Sequence, residues 1–171
     1  YYESEDYISH TDNNKGIING IYHAVRNIAI KQKFSLISSF KTSKNILDYG
    51  CGTGSFLEFC KLNKWNTSGA EPNNNAREIL TQKGINALLP NEINTLTKNS
   101  FGVITLWHVL EHIHNLNETV SALTSLLEEN GVLIIAVPNH TSYDAQHYKE
   151  HWAAYDVPIH LYHFSPSDIK T

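Results

Sequence analysis

The spacing of apolar residues divides the chain into two parts. Between residues 17 and 40, apolar positions recur mostly at helical intervals, which predicts one or two amphipathic helices. From residue 45 onward, short apolar runs alternate with segments of helical periodicity. The predicted strands are Asn45–Tyr49, Thr67–Glu71, Ile85–Leu89, Phe101–Trp107 and Val132–Val137, and the predicted helices are Ser55–Asn63, Asn73–Lys83 and Leu116–Glu129.

This alternation predicts an α/β fold in which βαβ units build an open, mostly parallel sheet with helices on both faces. The run from Val132 to Val137 is apolar throughout, as is typical of a strand buried on both sides. A chain of 171 residues with 41% apolar content is long enough to bury a core, and its length predicts one domain. We therefore expect a helical cap or lid over residues 1–41 and one ligand-binding domain over residues 42–171.

The first predicted strand runs directly into a glycine-rich turn, Gly50–Gly54, and then into a helix. Glycines let the backbone approach a ligand, and a helix start offers unpaired N–H groups. In parallel sheets, ligands bind at the carboxyl ends of the strands. The dinucleotide motif G-x-G-x-x-G would need a glycine at Ser55 or Leu57, and neither position has one. A plain tight turn is the alternative interpretation.

The G-x-G-x-G spacing, preceded by Asp48, resembles the first motif of class I S-adenosylmethionine-dependent methyltransferases. The segment Phe101–His112 is similar to the fourth-strand segment of the ubiquinone-biosynthesis-type small-molecule methyltransferases, and residues 138–166 resemble their substrate side. The resemblance covers residues 42–168 and implies a Rossmann-like, doubly wound domain with S-adenosylmethionine as cofactor. It also implies two further C-terminal strands, so we expect a C-terminal part to be missing from this chain.

The resemblance implies a cofactor site along the strand ends. The glycine turn would lie beside the methionine part, which Leu106, Trp107 and His108 would also face. Glu71 ends the second predicted strand about 20 residues after the turn, where a carboxylate accepts hydrogen bonds from ribose hydroxyls. Asn91 or Glu92 would contact the adenine; for these two and Glu71, a solvent-exposed position is the alternative. The expected cofactor residues are Asp48, Gly50, Cys51, Gly52, Gly54, Glu71, Pro72, Asn91, Glu92, Leu106, Trp107 and His108.

Histidines crowd into the segment after residue 137, which predicts a substrate cleft lined by imidazoles and aromatic rings. Methyl transfer to a hydroxyl needs a general base, and histidine is the natural one because its ordinary pKa is near neutrality. His160 is the first candidate, followed by His140 and His163, with a structural role as the alternative for each. Imidazoles also suit zinc or iron, but no ligand spacing recurs, so we expect no intrinsic metal.

One short motif points to a different chemistry. Residues His108–His112 spell H-x-x-E-H, the zinc motif of inverted metalloproteases. Here the motif follows a predicted buried strand, whereas a zinc hydrolase would carry it within a long helix. A metalloprotease is therefore a minor alternative, and His112 is expected to pack or cap.

Charge and composition restrict the partners. The chain has 13 basic and 17 acidic residues without a basic face, which favours a small-molecule acceptor over nucleic acid. The Asn/Asp-Pro-Pro-Tyr/Phe sequence of many amino-methylating enzymes is absent after the fourth predicted strand, which favours oxygen or carbon as the acceptor atom. Two cysteines and no apolar run of about 20 residues indicate a cytoplasmic protein without a membrane span. A non-catalytic cofactor-binding module and a NAD-binding oxidoreductase are the remaining alternatives.

Overall fold

The computed structural model describes residues 17–169, in which helices and strands alternate as predicted. The helices are α1 (Ile17–Ser38), α2 (Ser55–Leu62), α3 (Asn74–Gln82), α4 (Leu116–Leu126), α5 (Tyr143–Tyr148) and α6 (Pro166–Ile169). The strands are β1 (Asn45–Tyr49), β2 (Asn66–Ala70), β3 (Asn86–Leu88), β4 (Phe101–Trp107) and β5 (Leu127–Ala136). Short 3-10 helices span Pro90–Thr95, Leu110–His112, Lys149–His151 and Ala153–Tyr155.

The five described strands form one sheet in the order β3-β2-β1-β4-β5, and each neighbouring pair is parallel. The strand order reverses between β1 and β4, at the centre of the sheet. In open parallel sheets, the crevice at such a reversal is where ligands bind. The prediction of a doubly wound, Rossmann-like sheet is therefore confirmed, and the glycine turn lies at the reversal.

Two hydrophobic cores cover the two faces of the sheet. The alternation of β4 shows this directly, since Val103 packs in the core formed with α1, α2 and α3, and Ile104 packs in the core formed with α4. Both side chains are fully buried. A central strand buried on both faces explains why the sequence from Phe101 to Trp107 is nearly all apolar.

The boundary between α4 and β5 differs from the prediction. The helix ends at Leu126 instead of Glu129, and the strand begins at Leu127 instead of Val132. Two glutamates favour helix locally, but Leu127 pairs with Phe101, and Ser43 donates a hydrogen bond of 2.6 Å to the Glu128 carboxylate. Tertiary pairing thus outweighs local helix propensity at this boundary.

Helix α1 is the described part of the predicted cap. Ile37 is fully buried in the core that also contains Ile46, and the Phe34 ring lies edge-on to Phe59 and Trp65. Residues 1–16 of the predicted cap lie outside the described residues, so the division at residue 41 stays a prediction. Within the described range, no helix is long and apolar enough to cross a membrane.

Candidate functional site

At two glycines of the turn, packing leaves no room for a side chain, whereas the third glycine faces open space. Gly50, Gly52 and Gly54 have φ values of 76°, 55° and 73°, which favour glycine. A Cβ at Gly50 would overlap the Val109 side chain, and one at Gly54 would overlap Leu80. A Cβ at Gly52 would meet nothing within 4 Å. The turn therefore presents bare backbone at Gly52, which fits the close approach of a cofactor.

Glu71 follows β2 and is held next to this bare backbone. The Gly52 N–H donates to Glu71 Oε2 at 2.9 Å, and the Asn73 N–H donates to Oε1 at 3.0 Å. Asn73 is itself fixed, because its side chain accepts a hydrogen bond from Ala76 N–H and caps α3. Glu71 is only 5% exposed, so the alternative of a surface glutamate is wrong. Each carboxylate oxygen keeps a further lone pair for a ligand hydroxyl.

Arg77 forms hydrogen bonds to the backbone between β2 and α3. Its guanidinium donates to the carbonyl oxygens of Glu71 and Pro72, at 2.7 and 2.6 Å. The Pro72 side chain is exposed, beside the buried Glu71. Pro72 therefore follows β2 next to Glu71 with its carbonyl already occupied, and its contact with the cofactor stays a prediction.

Asp48 is buried at the end of β1. Thr105 on the neighbouring strand β4 donates a 2.6 Å hydrogen bond to Asp48 Oδ1. Burial raises the pKa of Asp48 to about 7, although the Thr105 hydrogen bond and the charge of Lys33 act in the opposite direction. Burial also lowers the pKa of Lys33, and the Asp48 charge opposes this. The site therefore contains a carboxyl group that changes its charge near neutral pH.

Lys33 is a functional candidate that the sequence analysis missed. Its Nζ lies 4.4 Å from the centroid of the Trp107 ring, within the range of a cation–π contact. Trp107 also packs edge-on to Phe56, and its Nε1 is buried without a hydrogen-bond partner in the described part of the chain. One signal was available, because Lys33 and the core residue Ile37 share a helix face at a spacing of i, i+4.

The side chains of the three residues predicted to face the methionine part point in different directions. Leu106 is fully buried in the α4 core, because strand side chains alternate between the two faces. This corrects the expectation for its side chain, and only its backbone lies at the strand end. Trp107 points to the other face, and the His108 side chain is 66% exposed. Its N–H donates to Ala136 O at 2.8 Å, at a φ of 58°.

Two other predicted cofactor positions lie in the 3-10 helix after β3. Asn91 and Glu92 are exposed in the 3-10 helix after β3, and Glu92 Oε2 accepts a 2.6 Å hydrogen bond from Leu89 N–H. Glu92 thus caps that helix, and the adenine contact stays a prediction for both residues.

Both cysteines are free thiols, and burial raises the pKa of Cys51, so this residue in the glycine turn is a neutral thiol.

The three candidate bases contact three different carbonyls. His160 Nδ1 donates to Ala154 O at 2.8 Å, His163 Nε2 donates to Tyr155 O at 3.1 Å, and the His140 backbone N–H donates to Phe164 O at 3.0 Å. The His160 side chain is only 10% exposed, whereas His163 is exposed. The His160 imidazole is therefore mostly shielded from water, whereas that of His163 is not.

His160 contacts the H-x-x-E-H motif, from which it is distant in sequence. Its ring centroid lies 4.6 Å from that of His112, and the Leu161 N–H donates to Glu111 O at 2.8 Å. The motif forms a short 3-10 helix, Leu110–His112, not a long helix. Burial raises the pKa of Glu111, but the neighbouring His108, a backbone amide and His112 outweigh it, so that pKa lies below its usual value. The motif is visible in the sequence, but its contact with His160 is not.

A family model described as a methyltransferase domain matches residues 22–171, and the chain belongs to this family. This confirms the resemblance to class I S-adenosylmethionine-dependent methyltransferases on which the expected site rests. The match includes most of helix α1 as well as the sheet.

Individual relatives agree with this family. The chain is 28% identical over 151 residues to the ubiquinone biosynthesis O-methyltransferase of Rickettsia prowazekii, across 81% of this chain and 59% of that protein. A solved S-adenosylmethionine-dependent methyltransferase from Archaeoglobus fulgidus superposes with a TM-score of 0.69 at 25% identity, over 85% of this chain and 65% of that one. The chain thus spans less than two thirds of the length of either relative.

A third relative shows the shared fold alone. The magnesium protoporphyrin IX methyltransferase from Synechocystis, solved with S-adenosylhomocysteine bound, gives a TM-score of 0.67 at 14% identity. The match covers 94% of this chain and 76% of that protein. The same sheet therefore recurs in relatives whose sequences have diverged widely.

Proposed function

We propose that this chain binds S-adenosylmethionine at the carboxyl ends of β1, β2 and β4 and transfers its methyl group to a small-molecule acceptor. The observation that carries the proposal is the fixed Glu71 carboxylate beside the bare backbone of Gly52. When bound, the cofactor supplies a methyl group made electrophilic by a sulfonium. Membership of the methyltransferase family supports the same conclusion.

The residues present fit such a cofactor. Glu71 would accept hydrogen bonds from the two ribose hydroxyls through its remaining lone pairs. Gly52 leaves room for the ligand because it has no side chain. At the end of β1, Asp48 would attract the ammonium group of the amino-acid part. Lys33, held over Trp107, would attract its carboxylate. The site thus offers one charge of each sign for a zwitterionic ligand.

The acceptor is proposed to be oxygen, or carbon, on a small molecule. The relative from Rickettsia prowazekii carries the name of an O-methyltransferase, and the sequence after β4 lacks the motif of many amino-methylating enzymes. Of the three candidate histidines, His160 is the best placed general base when its ring binds no metal ion. Its Nδ1–H bond to Ala154 O leaves the lone pair on Nε2, and Asp156 Oδ2 lies 4.0 Å from that nitrogen. A general base contributes about 10²- to 10⁴-fold to the rate.

The other two histidines are weaker candidates for the base. His163 donates from Nε2, so its lone pair is on Nδ1, and its ring is exposed to water. His140 is fixed through its backbone, and the described contacts do not fix its imidazole tautomer. We therefore expect substitutions of His163 and His140 to reduce turnover less than the substitution of His160.

The proposal is tested by release of S-adenosylhomocysteine from S-adenosylmethionine in the presence of phenols, catechols and enolisable acids. We expect turnover with at least one acceptor that carries a hydroxyl. His160→Gln should lower kcat and flatten its pH profile, whereas His151→Gln should change neither, since that side chain is 85% exposed. Tight binding of S-adenosylhomocysteine without turnover of any acceptor would indicate a non-catalytic binding module instead.

A further inference from the structure

Among the described residues, the buried Glu111 carboxylate has no hydrogen-bond partner. The residue is 1% exposed, and neither Oε1 nor Oε2 accepts a hydrogen bond within residues 17–169. The nearest ion-pair contact is with His108 Nδ1, 3.7 Å from Oε1, which is too long for a hydrogen bond. Burying a carboxylate in this way costs free energy unless a cation compensates it. Within the described residues, histidines lie near this carboxylate without forming a hydrogen bond of normal length to it, so its oxygens are available to a bound cation.

Two histidines face this carboxylate. One ligand atom from each of Glu111, His112 and His160 lies within 4.8 Å of the other two. His112 Nδ1 donates to Ile159 O at 3.3 Å, and His160 Nδ1 donates to Ala154 O at 2.8 Å. Both bonds place the proton on Nδ1 and the lone pair on Nε2. Imidazoles that bind metals are oriented in the same way, by donating their other N–H to a backbone carbonyl.

We propose that Glu111, His112 and His160 bind one divalent transition-metal ion. Two imidazoles and one carboxylate are the donor set that zinc and ferrous iron prefer, and three protein ligands leave coordination positions for water or a substrate oxygen. The Asp156 carboxylate, 4.0 Å from His160 Nε2, lies at the rim of the site and offers a further oxygen. This site differs from the expectation, made from the sequence, that the protein has no intrinsic metal.

The ion would join two parts of the chain that are distant in sequence. Glu111 and His112 follow β4, close to the proposed cofactor residues, whereas His160 belongs to the segment after β5. A backbone bond from Leu161 N–H to Glu111 O already holds the two parts together. With an ion bound, His160 is a ligand and cannot act as a base, so an acceptor hydroxyl would be polarised by the ion instead. Metal binding itself does not depend on the proposed methyl transfer.

The test is a titration of chelator-treated protein with Co²⁺, followed by its visible absorption, with Zn²⁺ used in competition. We expect one equivalent of Co²⁺ to bind with the spectrum of a nitrogen and oxygen site, and Zn²⁺ to displace it. Loss of an outer-sphere partner weakens metal binding by 10- to 100-fold, so His112→Gln, His160→Gln and Glu111→Gln should each weaken it by more than about 100-fold. His151→Gln and His163→Gln are the matched controls, and both should bind as the unaltered protein does.

Either of two results would overturn the metal site. One is the absence of a coordinated Co²⁺ spectrum in the unaltered protein, and this result does not depend on any variant folding. The other is a spectrum that survives all three ligand substitutions, which would assign the ion to surface histidines. Calorimetry of the same chelator-treated protein with S-adenosylhomocysteine separates this proposal from the proposed function. Cofactor binding without metal binding would reject the metal site alone.

Discussion

The two halves of the candidate site are built in different ways. At the ends of β1 and β2, main-chain bonds connect the turn to the sheet, with Gly50 N–H donating to Ala70 O at 2.7 Å and Glu71 N–H to Leu88 O at 2.9 Å. The described part of the chain after β5 has two short helices and two 3-10 helices, and it contacts the sheet domain through bonds such as that from Leu161 N–H to Glu111 O. A site formed from sheet backbone is shaped before the ligand arrives, whereas the imidazoles of His160 and His163 are positioned by single bonds from their rings to backbone carbonyls. Cofactor affinity and acceptor chemistry should therefore respond to different substitutions.

The largest expected effect distinguishes two glycines of the same turn. Gly54→Ala places an alanine in a left-handed backbone conformation, and its Cβ overlaps Leu80. We therefore expect this substitution to lower the free energy of unfolding by about 2–5 kcal/mol. Gly52→Ala adds only the backbone strain, about 1–2 kcal/mol, because its Cβ would face open space. Urea denaturation measures both. Equal losses would contradict the assignment of Gly54 to packing and Gly52 to the ligand.

The next effect concerns the charge of Asp48. Its pKa is raised to about 7 in the folded protein, so the unfolded chain ionises first and stability falls as the pH rises from about 4 to 7. Below pH 4 both states are protonated and the effect is absent. Asp48→Asn removes this loss, so the variant should gain up to about 4 kcal/mol relative to the unaltered protein between pH 4 and pH 8.

Thermal and denaturant unfolding at several pH values test this prediction. Asp144→Asn is the matched control, because Asp144 is exposed and the pH dependence of that variant should follow the unaltered protein. If the pH dependence of Asp48→Asn follows it as well, then Asp48 does not titrate near neutral pH, and its proposed role toward the ligand ammonium needs revision.

The third prediction separates binding from folding at Glu71. Glu71 also accepts N–H bonds from Gly52 and Asn73, so an alanine at this position would remove the acceptors of both donors. Glu71→Gln keeps the shape and one acceptor oxygen, although its NH2 group would face one of the two N–H donors. It should lose about 2–3 kcal/mol of cofactor binding, or roughly 30- to 150-fold in affinity. Glu78→Gln, an exposed glutamate on α3, is the control and should bind normally. A change of less than about threefold for Glu71→Gln would reject the ribose contact.

The smallest effects lie in the histidine segment. His163 is exposed, so His163→Ala should change the free energy of unfolding by no more than about 0.5 kcal/mol. The shielded ring of His160 loses its bond to Ala154 O, so His160→Ala should cost about 1 kcal/mol. Denaturation in the presence of a chelator isolates this difference from any metal. Identical stabilities would show that the segment holds His160 no more firmly than His163.

The sequence predicted what depends on neighbours along the chain. The bounds of β1 and β4 are as predicted, because each is an apolar run ending in a turn. Contacts across the fold were not predictable in this way. Lys33 reaches Trp107 only because α1 packs on the sheet.

The site shows the same division between local and distant contacts. The position of Glu71 follows from its spacing to the glycine turn, and the structure places it there. The meeting of Glu111 and His112 with His160 has no local signal, because these residues lie on opposite sides of β5 in the chain. A pattern within one segment cannot report which distant segment packs against it.

The central claim is that the ends of β1 and β2 hold an adenosyl amino-acid ligand, and isothermal calorimetry with S-adenosylhomocysteine tests it most directly. The account predicts saturable binding of one equivalent, while NAD gives no binding to the same folded sample. Folded protein that yields no saturable heat with S-adenosylhomocysteine, or that binds NAD instead, would contradict it.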